Sequence, residues 1–302
     1  MSASGGKKAI IAAFFANLGL AVAKFVGFFI TRSSSMLAEA VHSCADSGNQ
    51  LLLLLGGRQA ARKADEEHPF GYGRARFFWA FVVALVLFAL GSLFALYEGI
   101  AKLRDPHHID SAVVAIGILL VGLALETYSI RTAIVESNHV RGDEGWVSFI
   151  RHSKSPELPV VLLEDAGALF GLVLALIGVS LTLVTDNPMW DALGTLSIGV
   201  LLGLIAIVLA VEMRSLLIGE GASPADHERI RTAIEGGPDV RRLIHLKTLY
   251  LGPDEMLVAA KAEFAGASLA EVSDAINATE ARVRAAVPSA RVIYFEPDVY
   301  QS

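Results

Sequence analysis

Long apolar stretches alternate with short polar segments over the first 218 residues of the chain. Six of these stretches reach the roughly 20 residues that a helix needs to cross the hydrocarbon core of a bilayer. They cover residues 9–30, 34–57, 77–100, 112–134, 158–184 and 190–218. The pattern therefore predicts an all-α membrane bundle of six transmembrane helices, in a domain that covers residues 1–218.

After residue 219 the pattern changes to that of a small soluble domain. Residues 224–234 and 269–287 have helical patterning, and Ser223 is a suitable N-cap for the first of these helices. Residues 243–251, 256–264 and 291–295 alternate between apolar and polar positions, as half-buried strands do. The order α-β-β-α-β predicts an α+β domain over residues 219–302, with both helices on one face of a sheet.

The second apolar stretch carries polar side chains on one face of a helix. Spacings of three and four residues connect Ser35, Glu39, His42, Asp46 and Asn49. An ionised side chain at membrane depth costs about 2.5–3.5 kcal/mol or more, so this stripe is expected to face a wet cavity or a bound ion. Hydrogen bonding between helices is the alternative role. We favour ion binding because His42 and Asp46 are strong metal ligands at positions i and i+4.

The fourth and fifth stretches contribute further candidate carboxylates. Glu164 and Asp165 are adjacent in the fifth stretch, so they lie about 100° apart around a helix and cannot face one centre equally. Periodicity does not choose between them, and two ordinary acids at a helix end are the alternative. Glu126 lies deep in the fourth stretch. With Glu39 and Asn49, it is predicted to carry protons or to support the metal ligands.

A polar loop joins the second and third stretches. Its glycines and proline, within residues 65–74, exclude a continuous helix. Asp65 and His68 could share a cation there, which makes them a candidate secondary metal site. A solvated turn is the default for such a loop.

Composition supports a membrane protein and excludes other classes. The chain is 54% hydrophobic and only 19% charged, and its net charge of -6 leaves no basic face for nucleic acid. Cys44 is the only cysteine, so neither an intrachain disulfide nor a cysteine zinc cluster can form. We expect Cys44 to be a small buried residue rather than a neighbour of the ligands. Lys24 lies at membrane depth and needs an acid, water or the interface, but the sequence does not identify its partner.

Lys and Arg residues predict the orientation of the chain. Most of those outside the apolar stretches fall on one side, so the positive-inside rule places both termini in the cytoplasm. The first stretch lacks a cleavage site and is expected to remain a membrane helix. An Arg- and Ser-rich leader is not evident, which favours a bacterial plasma membrane over an organelle.

One imidazole and several carboxylates suit a divalent transition metal. The sequence contains no phosphate-binding loop of the Gly-x-x-x-x-Gly-Lys-Ser/Thr type, so secondary transport is expected rather than a pump driven by ATP hydrolysis. Protons and metal compete for the same ligand atoms, which predicts exchange of metal for protons. A cation channel and a metal-gated signalling or scaffold protein are the alternatives. An intramembrane metalloprotease is excluded because a His-Glu-x-x-His pair is missing.

Several motifs resemble the cation diffusion facilitator family, in order and over nearly the whole chain. They are residues 39–46, 68–74, 97–100 and the Glu164-Asp165 pair. Residues 163–166 and 187–194 are similar to the branch that includes the mitochondrial zinc transporter of animals. The resemblance implies a homodimer, proton-coupled export of zinc or a related divalent metal from the cytoplasm, and a ferredoxin-like cytoplasmic domain. It also implies that the protein is not an enzyme and needs no cofactor beyond the metal that it transports.

The resemblance also implies a ligand set. By position, the transport ligands are His42, Asp46 and Asp165. The fourth family ligand falls on Val161, which cannot bind metal. Its replacement could be Glu164, Glu126 or water. In the loop, Asp65 and His68 match a secondary metal site, whereas Tyr72 stands where some relatives have a histidine.

Overall fold

The chain forms two compact units. The computed structural model describes residues 2–31, 34–106 and 112–299, without the side chains of residues 2–5, 31, 34–39, 41, 42, 45 and 112. The first unit comprises the chain up to Arg58 together with Arg76–Arg214. The second unit comprises Gln59–Ala75 together with the chain from Ser215. The polar loop therefore groups with the tail, whereas the sequence boundary at residue 218 assigned it to the membrane domain.

Helices build the first unit. They are α1 (Ser2–Thr31), α2 (Ser34–Ala60), α3 (Ala75–Val86), α4 (Phe94–Arg104), α5 (Ala112–Arg141), α6 (Trp146–His152), α7 (Glu157–Thr185) and α8 (Met189–Ile218). A π-helical segment, Leu87–Leu93, joins α3 to α4, so Ala75–Arg104 continues as one helical span. The hydroxyl of Ser92 in this segment donates a hydrogen bond to the carbonyl of Gly199 at 2.8 Å. This bond fixes the π-helical segment to α8.

Within the described residues, five helices are long and apolar enough to cross a membrane. They are Gly6–Ile30, Ala75–Arg104, Val113–Arg141, Glu157–Thr185 and Met189–Ile218. These correspond to five of the six predicted spans. The remaining one, α2, has 27 residues and is therefore about 40 Å long, which is sufficient to cross. Its polar and charged residues make it less apolar than the others, so a sixth span at α2 stays a prediction.

Small residues let α7 approach α8. A Cβ atom added to Gly178 would lie 3.0 Å from the carbonyl oxygen of Trp190, and one on Gly167 would lie 2.8 Å from Cδ1 of Ile205. Close backbone approach of this kind is how membrane helices gain contact area without a hydrophobic driving force. One side of α7 is therefore committed to α8, while Glu164 and Asp165 contact other helices.

The tail of the second unit has the predicted order of elements. It contains α9 (Pro224–Glu235), β1 (Val240–Gly252), β2 (Glu255–Phe264), α10 (Leu269–Ala286) and β3 (Ala290–Pro297). In the described part of this tail the strand order is β1-β2-β3, with β1 antiparallel and β3 parallel to β2. Alternate residues of β2, such as Val258, are buried against Ile230 of α9 and Val283 of α10. Ser223 caps α9 by accepting a hydrogen bond from the amide of Asp226, which confirms the predicted start of this helix.

The polar loop of the second unit packs against β1. Gly73 lies so close to this strand that an added Cβ atom would be 2.5 Å from the carbonyl oxygen of Leu251. Next to this contact is a cavity of about 300 Å³, lined in part by His68, Phe70, Leu249 and Leu257. The loop is therefore a packed part of this unit and not a free connection.

Candidate metal centre in the first unit

Glu164 of α7 is held by two amides of α2. Nδ2 of Asn49 donates to Oε1 of Glu164 at 3.0 Å, and Nε2 of Gln50 donates to Oε2 at 2.9 Å. All three side chains are buried. Gln50 in turn accepts a hydrogen bond from Nδ2 of Asn17 on α1, at 3.5 Å. Both oxygens of Glu164 therefore have donors, in a polar network that joins α1, α2 and α7.

Asp165, the next residue of α7, contacts α5 instead. Its side chain is fully buried, and its Oδ2 accepts a hydrogen bond from the hydroxyl of Ser129 at 2.6 Å. Its other oxygen, Oδ1, accepts no hydrogen bond from any described residue. The two adjacent acids thus point towards different helices, as the angle of about 100° between neighbouring helical residues predicts.

Glu126 of α5 is the third buried acid. Its side chain is 1% exposed, and its Oε1 has no hydrogen-bond donor among the described residues. It interacts electrostatically with Asp46 of α2, with Glu164 and Asp165 of α7 and with Lys24 of α1. Lys24 is itself buried, and an ammonium group at membrane depth needs a nearby acid. Glu126 is one acid that meets this need.

The polar stripe of α2 is described in part. Asp46 is half-buried and interacts electrostatically with Glu126 and Glu164, and Asn49 is buried. The side chains of Glu39 and His42 lie outside the described residues, so these two are placed only by their positions in the helix. Cys44 is exposed, so the expectation that it is buried was wrong. It lies between two positions of the stripe in sequence but on a different side of the helix.

The ligands of a metal ion are not assembled among the described side chains. No group of three His, Cys, Asp or Glu side chains in this part of the chain lies close enough to hold an ion. The acids that interact with one another are Glu126 of α5 and Glu164 and Asp165 of α7. Asp46 of α2 interacts electrostatically with Glu126 and Glu164. Buried carboxylates of this kind bind cations or protons, because an isolated negative charge is costly there.

Asp65 and His68, the candidate secondary metal site in the polar loop, belong to a local hydrogen-bond network with Tyr72. Oδ1 of Asp65 accepts from the amide of His68 at 2.8 Å, and Oδ2 accepts from the Tyr72 hydroxyl at 2.7 Å. The Tyr72 hydroxyl and the His68 amide together hold the pKa of Asp65 below its usual value. The His68 ring packs on the Tyr72 ring, with 4.3 Å between centroids, and its Nδ1 lies 3.8 Å from Oδ1 of Asp65. A metal ion would therefore compete with Tyr72 for Asp65.

Sequence reasoning missed two residues of this region, Gln50 and Ser129. Gln50 directly follows Asn49, the last position of the polar stripe, and stands at the start of an apolar run of five leucines, which was an available signal. Ser129 lies three residues after Glu126 and so shares its side of α5. Its pairing with Asp165 depends on how α5 packs on α7, and no local pattern reports that.

Comparison with known proteins assigns the family. Residues 10–218 match the cation efflux transmembrane domain. The chain is 34% identical over 245 residues to the mitochondrial proton-coupled zinc antiporter SLC30A9 of Xenopus laevis, covering 80% of this chain and 44% of that protein. The Homo sapiens protein of the same name is 31% identical, with 80% and 43% covered. Metal tolerance protein C4 of Arabidopsis thaliana is 30% identical over 265 residues, with 86% and 57% covered.

The chain spans less than half the length of these antiporter relatives. The match nevertheless includes the helices that carry Asp46, Glu126, Glu164 and Asp165, since all four lie within residues 10–218. The chain is a multi-pass membrane protein that belongs to the cation efflux, or cation diffusion facilitator, family, whose members are transporters and not enzymes.

Proposed function

We propose that this chain is a proton-coupled antiporter that exports a divalent transition metal from the cytoplasm by alternating access. The observation that carries this proposal is the burial of three carboxylates, Glu126, Glu164 and Asp165, on helices apolar enough to cross a membrane. Zinc is the first substrate, which the names of the antiporter relatives support. Manganese, iron and cobalt follow, because one imidazole with several oxygens does not exclude harder metals.

The proposed ligands come from α2 and α7. His42 and Asp46 lie one turn apart on α2, and Asp165 lies on α7 with Glu164 beside it. Val161, one turn before Asp165, is buried and apolar and supplies no donor. The metal is the transported substrate, and we propose no further cofactor.

Coupling follows from competition at these atoms. A neutral imidazole and ionised carboxylates bind metal, whereas their protonated forms do not, so protons and metal exclude each other. Protons that enter from outside would release the metal, and the protonated site would then return to the inside. Glu39 and Glu126 are proposed to take part in proton movement. Asn49 contains no titratable group, so its proposed role is to support Glu164 through its hydrogen bond.

The membrane arrangement is also a proposal. We propose that α2 is the sixth span, that both termini are cytoplasmic, and that the α-β-β-α-β tail is a ferredoxin-like domain of a homodimer. Single cysteines at Ser2 and Asp186, each in a Cys44→Ser background, test the orientation with a membrane-impermeant maleimide on intact cells. The reagent should label Asp186→Cys and not Ser2→Cys, and the reverse result would contradict the orientation. Chemical cross-linking of the protein in membranes tests the dimer.

The cellular membrane is open to direct measurement. The bacterial plasma membrane is the proposal made from the sequence, whereas the antiporter relatives are named as mitochondrial proteins. Fractionation of the native cell followed by immunoblotting distinguishes these locations.

The decisive test of transport is Asp46→Ala in proteoliposomes. Removing this carboxylate should abolish metal-dependent proton movement while leaving the protein folded, because Asp46 is a half-buried ligand and not part of an apolar core. A pH-sensitive dye inside the vesicles measures the proton flux, and a zinc-sensitive dye measures the metal.

Asp143→Asn is a suitable control because Asp143 is an exposed acid in the segment between α5 and α6. This variant should transport like the wild type. Normal coupled transport by Asp46→Ala would contradict the assignment of Asp46 as a ligand of the transported metal. Metal flux that proceeds without any proton movement would contradict the antiport mechanism.

A further inference from the structure

Three buried amide or carboxylate oxygens in the first unit have no hydrogen-bond donor among the described residues. They are Oδ1 of Asn49 on α2, Oε1 of Glu126 on α5 and Oδ1 of Asp165 on α7. Each of these side chains is almost completely buried. Buried polar atoms in folded proteins nearly always have a partner, so several unpaired oxygens in one region need an explanation.

Glu164 provides the contrast. It is buried beside Asp165 in the same helix, yet both of its oxygens accept hydrogen bonds, from Asn49 and Gln50. An oxygen that already accepts from an amide is less available to a cation than one without a donor. The available carboxylate oxygens therefore belong to Asp165 and Glu126 rather than to Glu164.

Helix geometry places Glu126 on the side of α5 that faces Asp165. Glu126 and Ser129 are three residues apart on α5, so they lie on the same side of the helix, about one turn from each other. Ser129 contacts Asp165 directly at 2.6 Å. Glu126 also interacts electrostatically with Asp46 of α2 and with both Glu164 and Asp165 of α7.

We propose that Glu126 is a direct ligand of the transported metal together with Asp165, and that it replaces the donor missing at Val161. Glu164 is then a positioning residue, which fixes α2 against α7 through Asn49 and Gln50. The metal site would be built from three helices, α2, α5 and α7. This inference rests on the proposed transport function and changes the identity of the fourth ligand within it.

A charge role is the alternative for Glu126. Lys24 interacts with it electrostatically, so the acid could serve only to balance a buried ammonium group. In that case its removal would affect stability but not the ligands of the metal. The experiment therefore needs a signal that reports on ligand identity.

The first measurement is zinc binding to the full chain in detergent, by isothermal titration calorimetry. Glu126→Gln keeps the size of the side chain and removes its charge. Changing a residue that only orients a metal ligand typically lowers affinity about 10–100-fold, and loss of a ligand should reach or exceed the upper end of that range. We therefore expect Glu126→Gln to lose about 100-fold or more, and Glu164→Gln to lose only about tenfold.

Ser137→Ala is the matched control. Ser137 is a buried polar residue on the same helix, and its hydroxyl also has no donor or acceptor among the described residues. It lies about 16 Å along α5 from Glu126, because 11 residues separate them at 1.5 Å each. Ser137→Ala should bind zinc like the wild type.

The second measurement is the visible spectrum of bound cobalt, which reports directly on its ligands. Glu126→Gln should change the absorption bands, Glu164→Gln should leave them unchanged, and Glu126→Asp should recover part of the zinc affinity by restoring a carboxylate. Size-exclusion chromatography establishes that each variant is folded.

Two results would overturn this inference. One is zinc affinity in Glu126→Gln equal to or above that of Glu164→Gln, and the other is an unchanged cobalt spectrum in Glu126→Gln. Failure of the wild-type protein to bind any divalent metal is a different result, because it would overturn the proposed function itself.

Discussion

Two acids of the second unit, Asp65 and Asp298, differ from two buried acids of the first unit, Glu126 and Asp165, in the partners of their oxygens. In the second unit, Asp65 has donors on both oxygens, and Asp298 lies 2.5 Å from Nζ of Lys261. In the first unit, Glu126 and Asp165 are buried and each keeps an oxygen without a donor among the described residues. Asp65 and Asp298 of the second unit are thus paired, whereas Glu126 and Asp165 of the first unit each keep one oxygen without a donor among the described residues.

The difference separates acids with ordinary surface pairing from buried acids that can bind a cation or a proton. A paired acid at an exposed site costs little to keep and contributes little to stability. An unpaired acid among apolar helices is expensive, so it is retained only where a cation or a proton compensates for the cost. The comparison predicts that changes to the first unit alter metal binding and that changes to the second unit alter stability or its pH dependence.

The largest effect is expected for Asp165→Asn. Asparagine keeps the size of the side chain and an oxygen for the Ser129 hydrogen bond, but it removes the negative charge. Zinc uptake into proteoliposomes should fall by about 100-fold or more, because losing a metal ligand should cost at least as much as the 10–100-fold typical of losing a residue that only orients one. Asp143→Asn is the control. Uptake close to the wild-type rate would show that a fully buried acid of this unit is not needed.

Ser129→Ala should have an intermediate effect. It removes the hydroxyl that donates to Oδ2 of Asp165, so the carboxylate loses the contact that orients it. Zinc affinity measured by calorimetry should fall about 10–100-fold, as is typical when a group that orients a metal ligand is lost. Ser129→Thr keeps the hydroxyl and should retain most of the affinity. Equal affinities for the alanine and threonine variants would contradict the orienting role.

Gly73→Ala tests the expectation that changes to the second unit alter stability and not metal binding. Its Cβ atom would lie 2.5 Å from the Leu251 carbonyl oxygen, so the loop must shift away from β1. The free energy of unfolding should fall by about 1–3 kcal/mol, as for other overpacked contacts, with zinc affinity unchanged. Gly57→Ala is the control, because nothing lies within 4 Å of its added Cβ. A large loss of zinc affinity in Gly73→Ala would contradict the expectation that only the first unit determines metal binding.

The smallest effect is expected for Tyr72→Phe. The Tyr72 hydroxyl is the largest cause of the lowered pKa of Asp65. A lowered pKa in the folded state stabilises the fold above the ordinary pKa of aspartate, about 4, and this contribution is lost as the pH falls through the folded value. Without the hydroxyl, the pKa of Asp65 should rise towards its usual value.

Carbon-13 NMR of the aspartate carboxyl groups can follow this titration. Tyr294→Phe is the control, because Tyr294 is an exposed tyrosine of β3. A titration of Asp65 that is the same in the wild type and in Tyr72→Phe would show that the hydrogen bond does not set its pKa.

Local patterns in the sequence predicted much of the fold. Five of the spans predicted from hydropathy are long apolar helices in the structure. The alternation of residue types predicted the α-β-β-α-β order of the tail. Both signals depend on neighbours in sequence, since a residue's burial repeats with the period of its own helix or strand. The acids at positions 126, 164 and 165 were also recognised from their place in apolar stretches.

The sequence alone determined which residues carry charge into the membrane and in which direction each leaves its helix. Tertiary structure decided what each of them meets: Glu164 meets the amides of α2, Asp165 meets Ser129 of α5, and Lys24 lies in range of Glu126. Tertiary structure likewise decided that Cys44 is exposed and that the Tyr72 hydroxyl donates a hydrogen bond to Asp65. The physical reason is that periodicity fixes the angle of a side chain around its own axis, whereas its partner depends on which helix packs on that side.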